Sequence, residues 1–304
     1  MAGLVRLRRS ELSTPGSSQK MLEKAAASDA DLVFCDLEDS VAPAQKQAAR
    51  INVVRALRRH DWGTKTRAIR INGVHTDWWG DDLEEVITGA PESVDVVIVP
   101  KVKHARDVQA VAQLLDELEA RARRKAPRIA IEVLIEETEG LVNVEQIAVS
   151  TPRLEALIFG PGDFSASQGV RWNIAREADY PGDIWAYHRS RIVVAARASG
   201  IEAIDGPFAN FRDTDGYRRE ALRAALIGFT GKWAIHPSQI ELANEAFTPT
   251  ESEVRAAREL VESYAKAEAS GEGAAGVGGV MIDAATVRIM EVILERDRAI
   301  RSRR

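Results

Sequence analysis

Cysteine is almost missing from this chain: Cys35 is the only one in 304 residues. One thiol excludes an internal disulfide framework and fits a reducing compartment. It lies inside the apolar run DLVFCDL, so it reads as a buried, inert thiol rather than a nucleophile. Histidine is scarce as well, and His60, His75, His104, His188 and His236 are scattered without HxH or HExxH spacing, which disfavours zinc. No segment approaches the run of about 20 apolar residues that spans a bilayer, and the N-terminal MAGLVRLRRSEL lacks the apolar stretch of a signal peptide. The expectation is a cytoplasmic soluble protein. Neither sign of charge dominates: 41 Lys and Arg against 46 Asp and Glu leave a net charge of −5, which gives no support for a nucleic-acid partner. The basic runs at 121–125 and 301–304 read as solvated helix faces or a tail.

What is present is a regular alternation. The hydrophobic content of 45% over this length is enough for one large domain with an appendage. Apolar, β-branched runs at 9–14, 31–37, 67–71, 94–102, 128–135, 154–159, 201–204 and 228–235 predict strands. Amphipathic stretches at 18–28, 43–58, 105–124, 183–198 and 218–225 predict helices between them. Eight strands alternating with helices signal a parallel sheet with right-handed crossovers. The count, and the acids at strand C-termini, favour a closed (β/α)8 TIM barrel. An open doubly wound sheet is the alternative, weakened because no GxGxxG opens a helix after the first strand. The barrel pattern ends near Ala246, giving a catalytic domain over 1–246 and a C-terminal helical extension over 247–304. That extension contains helices at 251–269 and 284–298 joined by a Gly/Ala-rich stretch at 270–280 that is flexible by composition, so its last segment can act as a lid or reach a neighbouring subunit.

The informative residues are charges placed where strands end. Arg70 ends RAIR, Glu38 and Asp39 close DLVFCDLED, Glu136 follows RIAIEVLI, and Asp163 follows LEALIFGPG. Buried charges are costly unless they converge on a shared ion or ligand, so the set predicts one pocket for a divalent metal and an anionic substrate. Mg2+ takes a few oxygen ligands and completes its octahedron with water and substrate; Glu136 and Asp163 would supply two carboxylates, with Glu38 and Asp39 holding metal-bound waters. Helix caps or structural ion pairs are the plainer roles for the same acids. Arg70 suits a carboxylate or thioester oxygen, or a salt bridge to a nearby acid. The polar turn Ser13, Thr14, Gly16, Ser17 suits backbone contacts to an anion. Asp283 opens a helix after GVGGVMI, the position of an ordinary N-cap. The pair Trp78–Trp79 and the turn Tyr180–Pro181–Gly182 read as packing and loop features.

The strings RSELSTPGS, DLEDSVAP, RINGVHTDWWGDDL, VPKV, LIEETEGLVN, FGPGDFSAS, IDGPF, GKWAIHPSQI and GVMIDAATV occur in that order. Over nearly the whole chain they resemble the citrate lyase beta-subunit-like family of acyl-CoA lyases, nearest to its malyl-CoA/β-methylmalyl-CoA branch. The resemblance implies a (β/α)8 barrel that uses Mg2+, with Mn2+ as a substitute, to cleave or form a carbon–carbon bond beside a CoA thioester. It implies Glu136 and Asp163 as metal ligands and Arg70 as the residue facing the substrate oxyanion. It implies Asp283 as the general base, delivered from a neighbouring subunit, and Arg9 and Lys24 near the CoA phosphates. Where simpler members read IETPLG this chain reads IEETEG, so Glu137 is the alternative ligand register. The implied partners are a CoA thioester and glyoxylate, with no nucleic acid or membrane, in a homo-oligomer, trimer or hexamer. The implied reaction is cleavage of L-malyl-CoA or β-methylmalyl-CoA to glyoxylate plus acetyl-CoA or propionyl-CoA. Malyl-CoA thioesterase and citramalyl-CoA or citryl-CoA lyase are alternatives, and a non-catalytic CoA-ester-binding barrel is the remote one.

Overall fold

The computed structural model describes residues 6–170, 182–271, 273–278 and 280–302. Tyr180 and Pro181 of the expected turn, and Arg303 and Arg304 of the expected tail, lie outside the described residues. The described residues form two compact units: Arg8–Asn244, and a smaller one that joins Arg6 and Leu7 to those from Glu245 onward.

In the larger unit eight strands close into a barrel in chain order. They are β1 (Ser10–Pro15), β2 (Leu32–Asp36), β3 (Thr66–Arg70), β4 (Val96–Val99), β5 (Ala130–Ile135), β6 (Leu154–Phe159), β7 (Glu202–Asp205) and β8 (Gly231–Ala234). All pairings are parallel, and β1 closes the ring by pairing with both β2 and β8. A barrel strand meets side chains of the interior on one face and helices on the other, so it must be apolar on both. LVFCD in β2 and VVIV in β4 are buried at every position. The interior is filled by Leu32, Phe34, Ala68, Val96, Ile98, Ala130, Leu134, Ala156, Ile158, Ile204 and Trp233, in which three alanines leave room for the Phe34 and Trp233 rings, 4.4 Å apart. Cys35 is fully buried, and burial with the neighbouring Asp36 charge pushes its thiol up to about 12, so it stays protonated and unreactive.

Two strands are shorter than the apolar runs that predict them. Pro100, just past β4, has no N–H to give the ladder, and Lys101 then turns with φ 54°. Gly228 is the left-handed C-cap of helix Thr214–Ile227, φ 109°, and so cannot begin β8. Helix Trp79–Gly89 is not among the predicted helices; the pair Trp78–Trp79 at its start reads only as a packing or loop feature. In the smaller unit, helices Glu251–Ala269 and Ala284–Arg301 pack on each other. Between them, the stretch read as flexible carries an antiparallel pair, β9 (Ala275–Val277) with β10 (Val280–Ile282). Among the described residues no helix is long and apolar enough to cross a membrane.

A buried ion network ties β7 and β8 to the helices outside them. Lys232 Nζ lies 2.6 Å from both Asp205 Oδ2 and Glu220 Oε1 and donates to the Gly206 carbonyl at 2.7 Å. Arg189 Nε donates to Asp205 Oδ1 at 2.8 Å, and Arg189 Nη1 reaches Asp183 Oδ2 at 2.8 Å. Removing one partner strands a buried charge, which is the expensive operation on such a network. Lys232→Met is expected to destabilise the fold by roughly 3 kcal/mol, read as a lower urea midpoint; an unchanged midpoint would show the network to be dispensable.

Candidate active site

Parallel strands deliver their C-terminal residues to one end of the barrel, where the chain enters loops. β2 ends at Asp36, with Glu38 and Asp39 just beyond; β3 ends at Arg70; Lys101 follows β4; Glu136 follows β5; and Asp163 sits in the first turn of helix Pro161–Gln168 after β6. These side chains meet. Arg70 donates from Nε and Nη2 to the two oxygens of Asp36, both at 2.7 Å, and its Nη1 lies 3.0 Å from Glu38 Oε2. The Lys101 ammonium bonds to Glu38 Oε1, stands 3.2 Å from Asp39 and 3.5 Å from Asp163 Oδ2, and its backbone N–H donates to Glu136 Oε1 at 2.8 Å. β6 can pass this close to Glu136 only through Gly160, since a Cβ there would fall 2.4 Å from the Glu136 Cβ.

The charges do not balance. Five carboxylates, Asp36, Glu38, Asp39, Glu136 and Asp163, surround two cations, Arg70 and Lys101. Asp36 is fully buried, which would raise it, but the Arg70 charge and hydrogen bonds override burial and hold it below the usual carboxylate range. Glu38 rises, with burial as the main cause. Glu136 is 4% exposed; burial, then the Glu38 charge, then Asp163 push it to about 8 against the pull of Arg70. A carboxyl protonated at neutral pH among other acids is one a hard divalent cation would deprotonate and bind. Among the described residues no three Asp, Glu, His or Cys side chains form a ready cage. That suits Mg2+, which binds through one or two carboxylates and keeps other positions for water and substrate. Glu136 and Asp163 fit such an ion.

The other expected residues are placed less uniformly. Glu137, the alternative ligand, turns to Lys103 Nζ at 3.0 Å. In the polar turn after β1, the Gly16 N–H is taken by the Asp36 carbonyl at 2.8 Å. Lys24 is exposed in the last turn of helix Gln19–Ala26. Arg9 does not join the acids: it precedes β1, at the N-terminal end of the barrel, and binds Asp31 through Nε and Nη2 at 2.8 Å. A strand of six residues, about 20 Å, separates it from the acids. Asp283 belongs to the smaller unit, where it is the N-cap of helix Ala284–Arg301. Bonds from the Thr286 N–H at 2.9 Å and hydroxyl at 3.1 Å hold its carboxyl below the usual range. Sequence reasoning assigned no role to Lys101 or Asp36. Both obey the rule that found the others, a charge at the end of a buried strand.

A closed (β/α)8 barrel that gathers acids and an arginine at the C-terminal ends of its strands defines the class: a barrel enzyme. The family model for HpcH/HpaI aldolase/citrate lyase matches residues 9–237, and the chain belongs to that family. It is 42% identical, over 96% of its length and 95% of the relative's, to an L-malyl-CoA/beta-methylmalyl-CoA lyase of Rhodobacter capsulatus. To a (3S)-malyl-CoA thioesterase of Cereibacter sphaeroides it is 36% identical, covering 90% and 89%. Among solved structures it resembles the CitE protein of Mycobacterium tuberculosis in complex with magnesium, acetoacetate and coenzyme A, with TM-score 0.76, 30% identity and coverage of 97% and 100%.

Glu136 sets a pH dependence. Unfolding returns it to the ordinary value of 4.5, so between there and about 8 the folded state keeps a proton that the unfolded state has lost. Metal-free stability therefore falls as pH rises through that window. Denaturation at pH 5 and pH 8 is expected to show a loss of a few kcal/mol that Glu136→Gln largely abolishes; parallel profiles for the two proteins would contradict the buried-acid geometry.

Proposed function

We propose that this chain is a Mg2+-dependent carbon–carbon lyase that reversibly cleaves L-malyl-CoA, and β-methylmalyl-CoA, to glyoxylate plus acetyl-CoA or propionyl-CoA. One observation carries the reading: near-full-length 42% identity to an L-malyl-CoA/beta-methylmalyl-CoA lyase in a chain whose barrel gathers the acids and arginine such chemistry needs. The neighbour bound to magnesium and coenzyme A supports the same ligands here. Bound through Glu136 and Asp163, Mg2+ would supply Lewis acidity toward the oxygens of the malyl group. Arg70, charged throughout because Asp36 raises its pKa against the effect of burial, faces the thioester oxygen and stabilises negative charge as the bond between the hydroxyl carbon and the thioester α-carbon breaks. Lys101 holds Glu38, Asp39 and Asp163 near one another. Asp283 exchanges a proton with the α-carbon, as acid in cleavage and base in condensation; its MIDAA motif supports this role, which it would serve for a neighbour in a homo-oligomer, trimer or hexamer. Lys24 serves the CoA phosphates. A chain with one buried cysteine and this chemistry is cytoplasmic.

The thioesterase reading is favoured by the 36% relative, since the same metal and arginine can direct water at the thioester. L-malyl-CoA supplied with and without Mg2+, with glyoxylate trapped as its phenylhydrazone and free thiol followed in parallel, separates the two. Metal-dependent glyoxylate without excess thiol is the expected result, and thiol without glyoxylate overturns it. Asp283→Asn is expected to lower kcat by about 10²–10⁴-fold with Mg2+ binding unchanged; retained turnover would remove Asp283 from the reaction.

A further inference from the structure

A guanidinium is a flat cation whose edge makes hydrogen bonds and whose faces need another kind of partner. Asp36 fixes one edge of Arg70 through two bonds of 2.7 Å. The face is met by aromatic rings from opposite ends of the chain: Arg70 Cζ lies 5.4 Å from the Trp233 ring centre and 5.9 Å from that of Phe34. Both distances are within cation–π range. The rings also brace each other, 4.4 Å apart and tilted by 41°. Trp233 is 3% exposed, and its indole N–H donates to Glu11 Oε2 at 2.8 Å. Glu11 is itself fully buried, beside β8 in register with Trp233. A rotated indole would leave two buried polar groups without each other, so the ring is held in one orientation.

We propose that Trp233, braced by Phe34 and anchored at Glu11, is a positioning residue that sets the plane of the Arg70 guanidinium and so aims its outer edge, where Nη1 also meets Glu38 Oε2 at 3.0 Å, at the substrate oxygen. The inference rests on Arg70 being the substrate arginine. It separates from ordinary core packing because a core residue that only fills space lowers stability when replaced, whereas a platform for a charge lowers turnover in a protein that still folds. The two rings lie against the guanidinium while Asp36 and Glu38 hold its edges, so losing the ring leaves the ion pairs in place but weakens the restraint on their common plane.

The test compares Trp233→Leu, Trp233→Phe, Phe34→Leu and Arg70→Met, with kcat and KM for L-malyl-CoA, Mg2+ affinity and melting temperature for each. Trp233→Leu is expected to lower kcat by about tenfold with Mg2+ affinity within about twofold. Trp233→Phe, which keeps a π face, is expected to restore kcat to within about threefold. Phe34→Leu is expected to fall between them and carries the test if Trp233→Leu fails to fold. A folded Trp233→Leu with wild-type kcat overturns the proposal, as do equal losses in the Leu and Phe variants, which would assign the effect to the Glu11 bond or to packing. Arg70→Met with full activity would instead remove the reading of Arg70 itself. An activity-independent arm follows the Arg70 Nε–H signal in protein labelled with 15N-arginine, identified by its loss in Arg70→Met. Faster solvent exchange of that proton in Trp233→Leu is expected, and unchanged exchange overturns the proposal.

Discussion

The bidentate pair between Arg70 and Asp36 is the interaction on which the rest of the pocket depends. It joins the ends of β2 and β3 at a point where both strands are buried, and it keeps one carboxylate ionised against the cost of burial. With that acid fixed, Glu38 is brought to the remaining edge of Arg70, and Lys101 joins Glu38 to Asp39 and Asp163. Each link recruits the next strand end around the ring. The cost is an excess of carboxylates that the protein's own cations do not offset, and it falls on Glu136, a buried acid whose bond from Lys101 comes from the backbone N–H rather than the ammonium.

Between the barrel and its outer helices lies what a neutralised version looks like. Around Lys232 and Arg189 the acids Asp205, Glu220 and Asp183 are close to matched, each at 2.6–2.8 Å from a cation, and Asp205 lies below its ordinary range rather than above it. That cluster is closed and clamps β7 and β8 to their helices. The cluster from β2 to β6 is left short of positive charge, and its buried acid keeps its proton. Both are ion networks at strand ends in one barrel. The difference between a clamp and a site lies in the charge that is missing.

Much of this was legible before the structure. Eight apolar runs predicted eight strands, because both faces of a barrel strand are buried and the run is continuous. Charges ending those runs marked Arg70, Glu38, Asp39, Glu136 and Asp163. The same signal also covered Lys101 and Asp36, whose roles need a contact map: a lysine beyond Pro100 gives no sign that it will turn back onto four acids. Helix Trp79–Gly89 was not among the predicted helices, and the short pair β9–β10 was hidden by a glycine-rich composition that reads as a tether. Trp233 drew no reading of its own in GKWAIHP, and its place against a guanidinium is visible only in the structure.

On the proposed reading a divalent cation would complete the unbalanced acid cluster and displace the proton on Glu136. Calorimetric titration of the protein with Mg2+ at pH 7, repeated in buffers of different ionisation enthalpy, measures the protons released per ion bound. The account predicts binding with release of close to one proton, absent in Glu136→Gln. Binding that releases none, and that Glu136→Gln leaves unchanged, would contradict it.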